Sequence, residues 1–280
     1  MTDTASETRN AQVQASGSSF YAGMRLLPKP EREAMFAIYR FAHAVDDIAD
    51  EGDDTREARH EALEVWRRDI ARLYEGSPNP CVMFLQDVVR RYGLRKEDFL
   101  AVIDGMEMDV AETIAAPDLA TLDLYCDRVA SAVGRLSVKV FGMDEEPGLA
   151  LSHHLGRALQ LTNILRDLDK DAETGRLYVP REYLDAAGIA GANAASVVAH
   201  PAIDKAARMI ARRAHEHYRS AHAVLSARPR GLLRAPRLMG AVYSEILAKM
   251  ERAGWAPPRT RVRIGRGRLL FIVAKQVLLG

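Results

Sequence analysis

Apolar residues recur at i, i+3, i+4 and i+7 along most of the chain, the spacing that lines one face of a helix. The stretch EREAMFAIYRFAHAVDDIADEG keeps this spacing up to Gly52, after Pro28 and Pro30, residues tolerated in a first helical turn. A second helix is predicted from Asp54 or Thr55 to Gly76, and others over about residues 82–92, 96–114, 119–141, 147–172, 201–227, 231–253 and 262–279. No segment alternates apolar and polar residues for long enough to propose a sheet, and no strand-glycine-helix unit occurs. The longest non-helical stretch, Gly188 to Ser196, has the Ala, Gly and Asn content of a loop. With no repeat and no linker, the pattern predicts one all-α domain over residues 18–280 behind a loose polar arm, residues 1–17.

Two helices carry acids where their neighbours are apolar. Tyr39, His43, Asp46 and Asp50 fall on one stripe, flanked by Phe36, Ile38, Phe41 and Val45. Gln160, Asn163, Asp167 and Asp171 fall on one face of another predicted helix, 147–172. Like charges one turn apart repel, by a few tenths of a kcal/mol (~0.2–0.5) in an isolated helix and by more when buried. One such pair alone reads as readily as a solvated acidic face. Two copies in apolar helices, the second with Gln and Asn on its stripe, point instead to a polar cavity. Hard oxygen donors of this kind suit Mg2+, which binds one or two carboxylates together with substrate phosphates.

Composition narrows the partners. The chain has 280 residues, 48% hydrophobic and 28% charged, with 39 Lys and Arg against 38 Asp and Glu. The profile is that of a folded protein with a sizeable core, and a net charge of +1 gives no footprint for nucleic acid. A polar start without an apolar leader core, two cysteines, and no apolar run of about 18 residues predict a cytoplasmic protein that does not cross a membrane. Cys81 and Cys126 are expected to be buried apolar fillers. A carboxylate bundle holding two irons would need two ExxH pairs; the chain has one, Glu57 to His60. HEHY, His215 to Tyr218, is not HExxH and reads as an exposed amphipathic face. Neither a P-loop nor a dinucleotide fingerprint is present.

The blocks GSSFYAGMRLLP, AIYRFAHAVDDIADE, YCDRVASAVG and QLTNILRDLDKDAETGRLYVP, in this order, resemble the squalene/phytoene synthase family of head-to-head prenyltransferases over about residues 17–250. The first block is most similar to bacterial members that make presqualene diphosphate for hopanoids. The resemblance implies an all-α isoprenoid-synthase domain with a central cavity that joins two farnesyl diphosphates and releases diphosphate. Dehydrosqualene or phytoene synthesis is the alternative, and a catalytically silent helical partner a remote one.

Carried over by resemblance, Asp46 and Asp50 hold Mg2+ and one diphosphate, and Asp167 and Asp171 the other, with Gln160 and Asn163 on the same face and Asn163 a further metal ligand. It further points to Ser19 for diphosphate contact, Tyr39 in the cavity, Tyr125, Arg166 and Tyr243. Phe20, Tyr21, Phe36, Tyr39 and Phe41 are the candidates for π faces around a cation. His43 stands where the family commonly has arginine, so Arg40 or a water is expected to share its phosphate contact. The tail RTRVRIGRGRLLFIVAKQVLLG has five arginines between Arg259 and Arg268. It reads either as a basic helix on the inner membrane surface or as a core helix whose arginines approach the diphosphates.

Overall fold

The computed structural model describes residues 23–50, 55–111, 114–191 and 193–279, without the side chains of 50, 266 and 276–279. The predicted arm 1–17, Ser19, Phe20 and Tyr21 lie outside these residues, as does the side chain of Asp50. Among the described residues the elements are helical, with one isolated parallel bridge between Ala115 and Leu177. The all-α expectation therefore stands.

Helix α1 is Lys29–Asp50 and α2 is Arg56–Tyr74, started by Thr55, whose hydroxyl accepts from the Ala58 amide at 3.2 Å. A 3-10 turn, Pro80–Val82, leads into α3, Met83–Tyr92, which ends on left-handed Gly93. Helix α4 is Lys96–Ala111. The predicted helix 119–141 is three pieces: α5 Leu119–Cys126, a π-turn Asp127–Ser131, and α6 Ala132–Val140. The predicted helix 147–172 is two: α7 Glu145–Arg166 and α8 Leu168–Glu173, broken at Asp167, whose φ of −108° and ψ of 14° leave the helical range. Two short helices were not predicted, α9 Arg181–Ala187 and α10 Ala194–Val198, the latter starting within the expected loop and opened by an Asn193–Ser196 capping box. Helices α11 Ile203–Ser226, α12 Arg234–Ala253 and α13 Arg266–Leu279 complete the chain.

Helix α7 is the axle of the structure, packed against α6, the π-turn, α11 and α12. Its glycine explains the close approach. A Cβ at Gly156 would lie 2.7 Å from Ser131 Cα, and one at Gly105 of α4 would lie 2.6 Å from Val129 Cγ1. The widened turn is thus seated between two glycines on opposite helices. On α1 one face is fully buried through Ile38, Phe41 and Val45. Phe41 meets Trp66 and Phe99 edge-on at 5.6 and 5.0 Å between centroids, contacts worth about 1 kcal/mol each beyond burial. The other face carries Tyr39, His43 and Asp46 toward the interior cavity.

Candidate active site

A cavity of about 530 Å³ lies between α1, α4, the π-turn, α6, α7, α8 and α12. Its lining is graded along three helices. Going toward the C-terminus, α1 contributes Met35, Tyr39, His43 and Asp46; α7 contributes Leu151, Leu155, Leu159, Gln160 and Asn163; α12 contributes Ala235, Met239 and Tyr243. One end is therefore apolar and the other charged, with tyrosines between them. From Leu151 to Asn163, at 1.5 Å rise per residue, the gradient spans about 18 Å.

The charged end unites Asp46, Gln160, Asn163, Asp167 and Asp171, as the sequence predicted, with Arg166, Lys170 and Arg176. The four residues of the second group do not share one helix. Asp167 caps α7 and Asp171 lies on α8, and the turn hydrogen bond from the Asp171 amide to the Asp167 carbonyl, 2.9 Å, keeps both on the cavity side of the break. Arg166 grips Asp167 through two bonds, Nε to Oδ1 at 3.2 Å and Nη2 to Oδ2 at 2.8 Å, and Arg261 Nε donates to Oδ1 at 2.5 Å. Burial pushes the Asp167 carboxyl up, but the two arginines together outweigh it and hold it below the usual range.

These acids sit at the wrong ends of their helices. Asp46 is in the last two turns of α1, which has no basic residue in its final turn, and Asp167 closes α7. Helix C-termini carry partial negative charge, so each carboxylate there calls for a cation. Arg59 and Arg176 supply part of it to α1, both donating to the Ala49 carbonyl, at 3.1 and 2.7 Å. Beside Asp167, the buried Asn163 Oδ1 has no hydrogen-bond partner. An orphan acceptor among three carboxylates is a donor set that fits a hard divalent cation.

The cavity wall holds Tyr39, Tyr125, Tyr178 and Tyr243. Burial, then Asp46 and Tyr243, push the Tyr39 phenol above its ordinary value. Tyr125 and Tyr178 stack at 4.8 Å and donate to the two oxygens of Asp109, at 2.9 and 2.7 Å. Burial, then Asp109, raises both phenols far above their usual range, so they remain donors. Asp109, Lys170, Arg176 and Tyr178 were missed in the sequence. Only Asp109 left a trace there, as an acid three residues after Met106 on an otherwise apolar helix face.

Several expectations need correction. Phe41 is core, and Phe36 lies outside the cavity lining; among the described residues Phe141 is the phenylalanine that reaches it. Two residues along a helix turn the chain about 200°, so Tyr39 and Phe41 cannot face the same way. Arg40 is not among the residues lining the cavity, its guanidinium lying 4.2 Å above the Phe84 ring, and His43 pairs with Asp47 at 3.3 Å. Cys126 is buried, its thiol pushed up to about 12, but Cys81 is exposed and donates to Asp69 at 3.0 Å. His215 pairs with Glu251, whereas Tyr218 is buried against Thr162 and His217 is half-buried, so HEHY is only in part an outer face. Of the tail arginines, Arg259 holds Asp169 and Arg261 holds Asp167, which places that stretch against the second acid group.

An all-helical domain with a cavity apolar at one end and lined with carboxylates at the other is the architecture of an isoprenoid synthase. The squalene/phytoene synthase family model matches residues 13–268, and the chain belongs to this family. It is 53% identical to the presqualene diphosphate synthase of Zymomonas mobilis, over 96% of this chain and 93% of that protein. The presqualene diphosphate synthase of Sinorhizobium fredii is 54% identical, over 91% of each. Among solved structures, squalene synthase HpnC from Alicyclobacillus acidocaldarius superposes with a TM-score of 0.77 at 27% identity, covering 89% of this chain and 94% of its own.

Proposed function

We propose that the protein joins two farnesyl diphosphates head-to-head into presqualene diphosphate, releasing one inorganic diphosphate. The observation that carries this reading is the graded cavity, in which a charged end suited to diphosphates opens onto an apolar body suited to prenyl chains. The names of the presqualene diphosphate synthases that it resembles supply the chain length and the product.

Mg2+ held by Asp46, Asp50, Asn163, Asp167 and Asp171 would supply the positive charge that neutralises the departing diphosphate. Around it Lys170, Arg166 and Arg176 bring fixed cations to the same oxygens, joined in this reading by Ser19 and His43. The allylic C–O bond of one substrate breaks, and its electron pair leaves with the diphosphate. The double bond of the second substrate attacks the resulting carbocation, and loss of a proton closes the cyclopropane. Such a cation survives only where water is excluded. Met35, Met106, Leu155 and Met239 form a dry body, while Tyr39, Tyr243, Phe141 and, in this reading, Tyr21 offer π faces. Released diphosphate serves as the base.

The test is incubation with farnesyl diphosphate and Mg2+, without a reductant, followed by mass spectrometry of aqueous and organic extracts. A phosphorylated thirty-carbon product is expected. A phosphate-free thirty-carbon hydrocarbon would assign dehydrosqualene synthesis instead, and turnover of geranylgeranyl diphosphate alone would assign phytoene synthesis.

The same reading includes peripheral contact with the inner membrane surface, where a lipid product would leave. No described helix is long and apolar enough to span a bilayer. On α13, however, Leu270 and Phe271 are 68% and 58% exposed, and Arg268 stacks on Phe271 at 5.3 Å. The double change Leu270→Ser and Phe271→Ser is expected to reduce sedimentation with anionic vesicles severalfold and to spare turnover of detergent-dispersed substrate. Undiminished sedimentation would remove the membrane role from this helix.

A further inference from the structure

Behind the cavity, where α7 packs on α11, three imidazoles meet. His153 and His154 are on α7 and His217 on α11, and one ligand nitrogen from each lies within 4.8 Å of the others. None of the three lines the cavity. Leu151, Ser152, Leu155 and Gly156 take that side of α7, and the histidines take another.

Nδ1 of His154 and Nδ1 of His217 are 3.1 Å apart. At that distance at least one nitrogen presents a lone pair, so the pair cannot be doubly protonated. Tetrahedral zinc with bonds of about 2.0–2.1 Å sets its nitrogens about 3.3 Å apart, so this pair already has nearly the required bite. The third ring, His153, stands edge-on to His154 at 4.7 Å between centroids and 5.7 Å from His217. It is exposed, so it can turn inward, and a water can reach the fourth position.

We propose that His153, His154 and His217 form a binding site for one divalent cation of the zinc class, clamping α7 to α11. Imidazole nitrogen suits zinc and its first-row neighbours far better than magnesium, so the site is chemically distinct from the carboxylate end of the cavity. Arg157 and Arg213, one helical turn from His153 and His217, are engaged by acids that temper their repulsion of a cation: Arg157 bonds Asp123 and Asp127, the latter shared with Arg135, and Arg213 reaches Asp123 at 3.3 Å. Arg157 also donates to the Ser131 hydroxyl and to the His153 carbonyl, which fixes the backbone that carries the ligands. Burial, followed by the two neighbouring imidazoles and then Arg157 and Arg213, holds His217 down to about 4, so its ring is neutral under ordinary conditions. Nothing in the condensation of prenyl diphosphates uses these residues.

Untagged protein in excess Mg2+ is titrated with Zn2+ by calorimetry and with Co2+ by visible absorption. One equivalent should bind, with the intense absorption of a four- or five-coordinate cobalt ion. His217→Gln and the exposed His153→Ala should each weaken binding by about a hundredfold or more, with circular dichroism showing that the metal-free fold is kept. Should His217→Gln fail to fold, His153→Ala decides alone. No saturable binding, or one equivalent held equally by the variants, would overturn the proposal, the second result placing the ion elsewhere.

Discussion

Asp46→Asn is expected to lower kcat/KM for farnesyl diphosphate about a thousandfold, whereas Asp47→Asn should change it less than about fivefold. The two acids adjoin in sequence, but one helical step separates their directions. Asp46 faces the cavity; Asp47 has a side chain 41% exposed and pairs with His43. In the proposed reaction, removing a carboxylate that would hold the cation neutralising the leaving group forfeits several kcal/mol, and about 4 kcal/mol is a thousandfold in rate. A half-exposed ion pair contributes about 1 kcal/mol at most. Steady-state kinetics on both variants, with thermal melts to show that they are folded, check the contrast. Equal losses would mean that this helix does not present Asp46 as the structure shows.

The second large effect concerns stability. Gly156→Ala should lower Tm by about 5–10 °C, because the new methyl would sit 2.7 and 2.8 Å from Ser131 Cα and N, backbone atoms that cannot rotate aside. Overpacking of this kind costs about 1–3 kcal/mol, and a chain of this size loses about 2–4 °C for each. Because the displaced π-turn carries Val129 and Ala130 into the cavity, turnover should fall as well. Gly240→Ala is the control. Among the described residues its Cβ would meet only Leu155 Cδ1 at 3.6 Å, ordinary contact, and alanine is favoured over glycine inside a helix by about 1 kcal/mol. Tm should stay constant or rise. Similar melts for both variants would show that α7 does not press on the turn.

Helices α1 and α7 were legible because 22 residues give several turns over which an apolar face and an acidic stripe can declare themselves. Helices of seven and five residues, α9 and α10, offer no such run. The π-turn left no periodic mark, since it exists where Gly105 and Gly156 let other helices close on it. Much of the site is hidden in the sequence for the same reason. Tyr178 finds Asp109 across 69 residues and Arg176 reaches the Ala49 carbonyl across 127, so their partners are set by folding rather than by local pattern. The break at Asp167 was also unmarked, yet the acid group survived it. The Asn163–Asp167 and Asp167–Asp171 backbone bonds keep the i, i+4 relation through the irregular residue.

If the chamber binds as proposed, the acids at the ends of α1 and α7 would couple the stability of the fold to its occupancy. Asp46 and Asp167 each lie near the partly negative end of a helix, an unfavourable placement that cations and diphosphates in the chamber would relieve. A ligand present at a hundred times its dissociation constant adds about 2.7 kcal/mol to the folded state. Protein incubated with substrate and cation is therefore expected to resist proteolysis longer than protein without them.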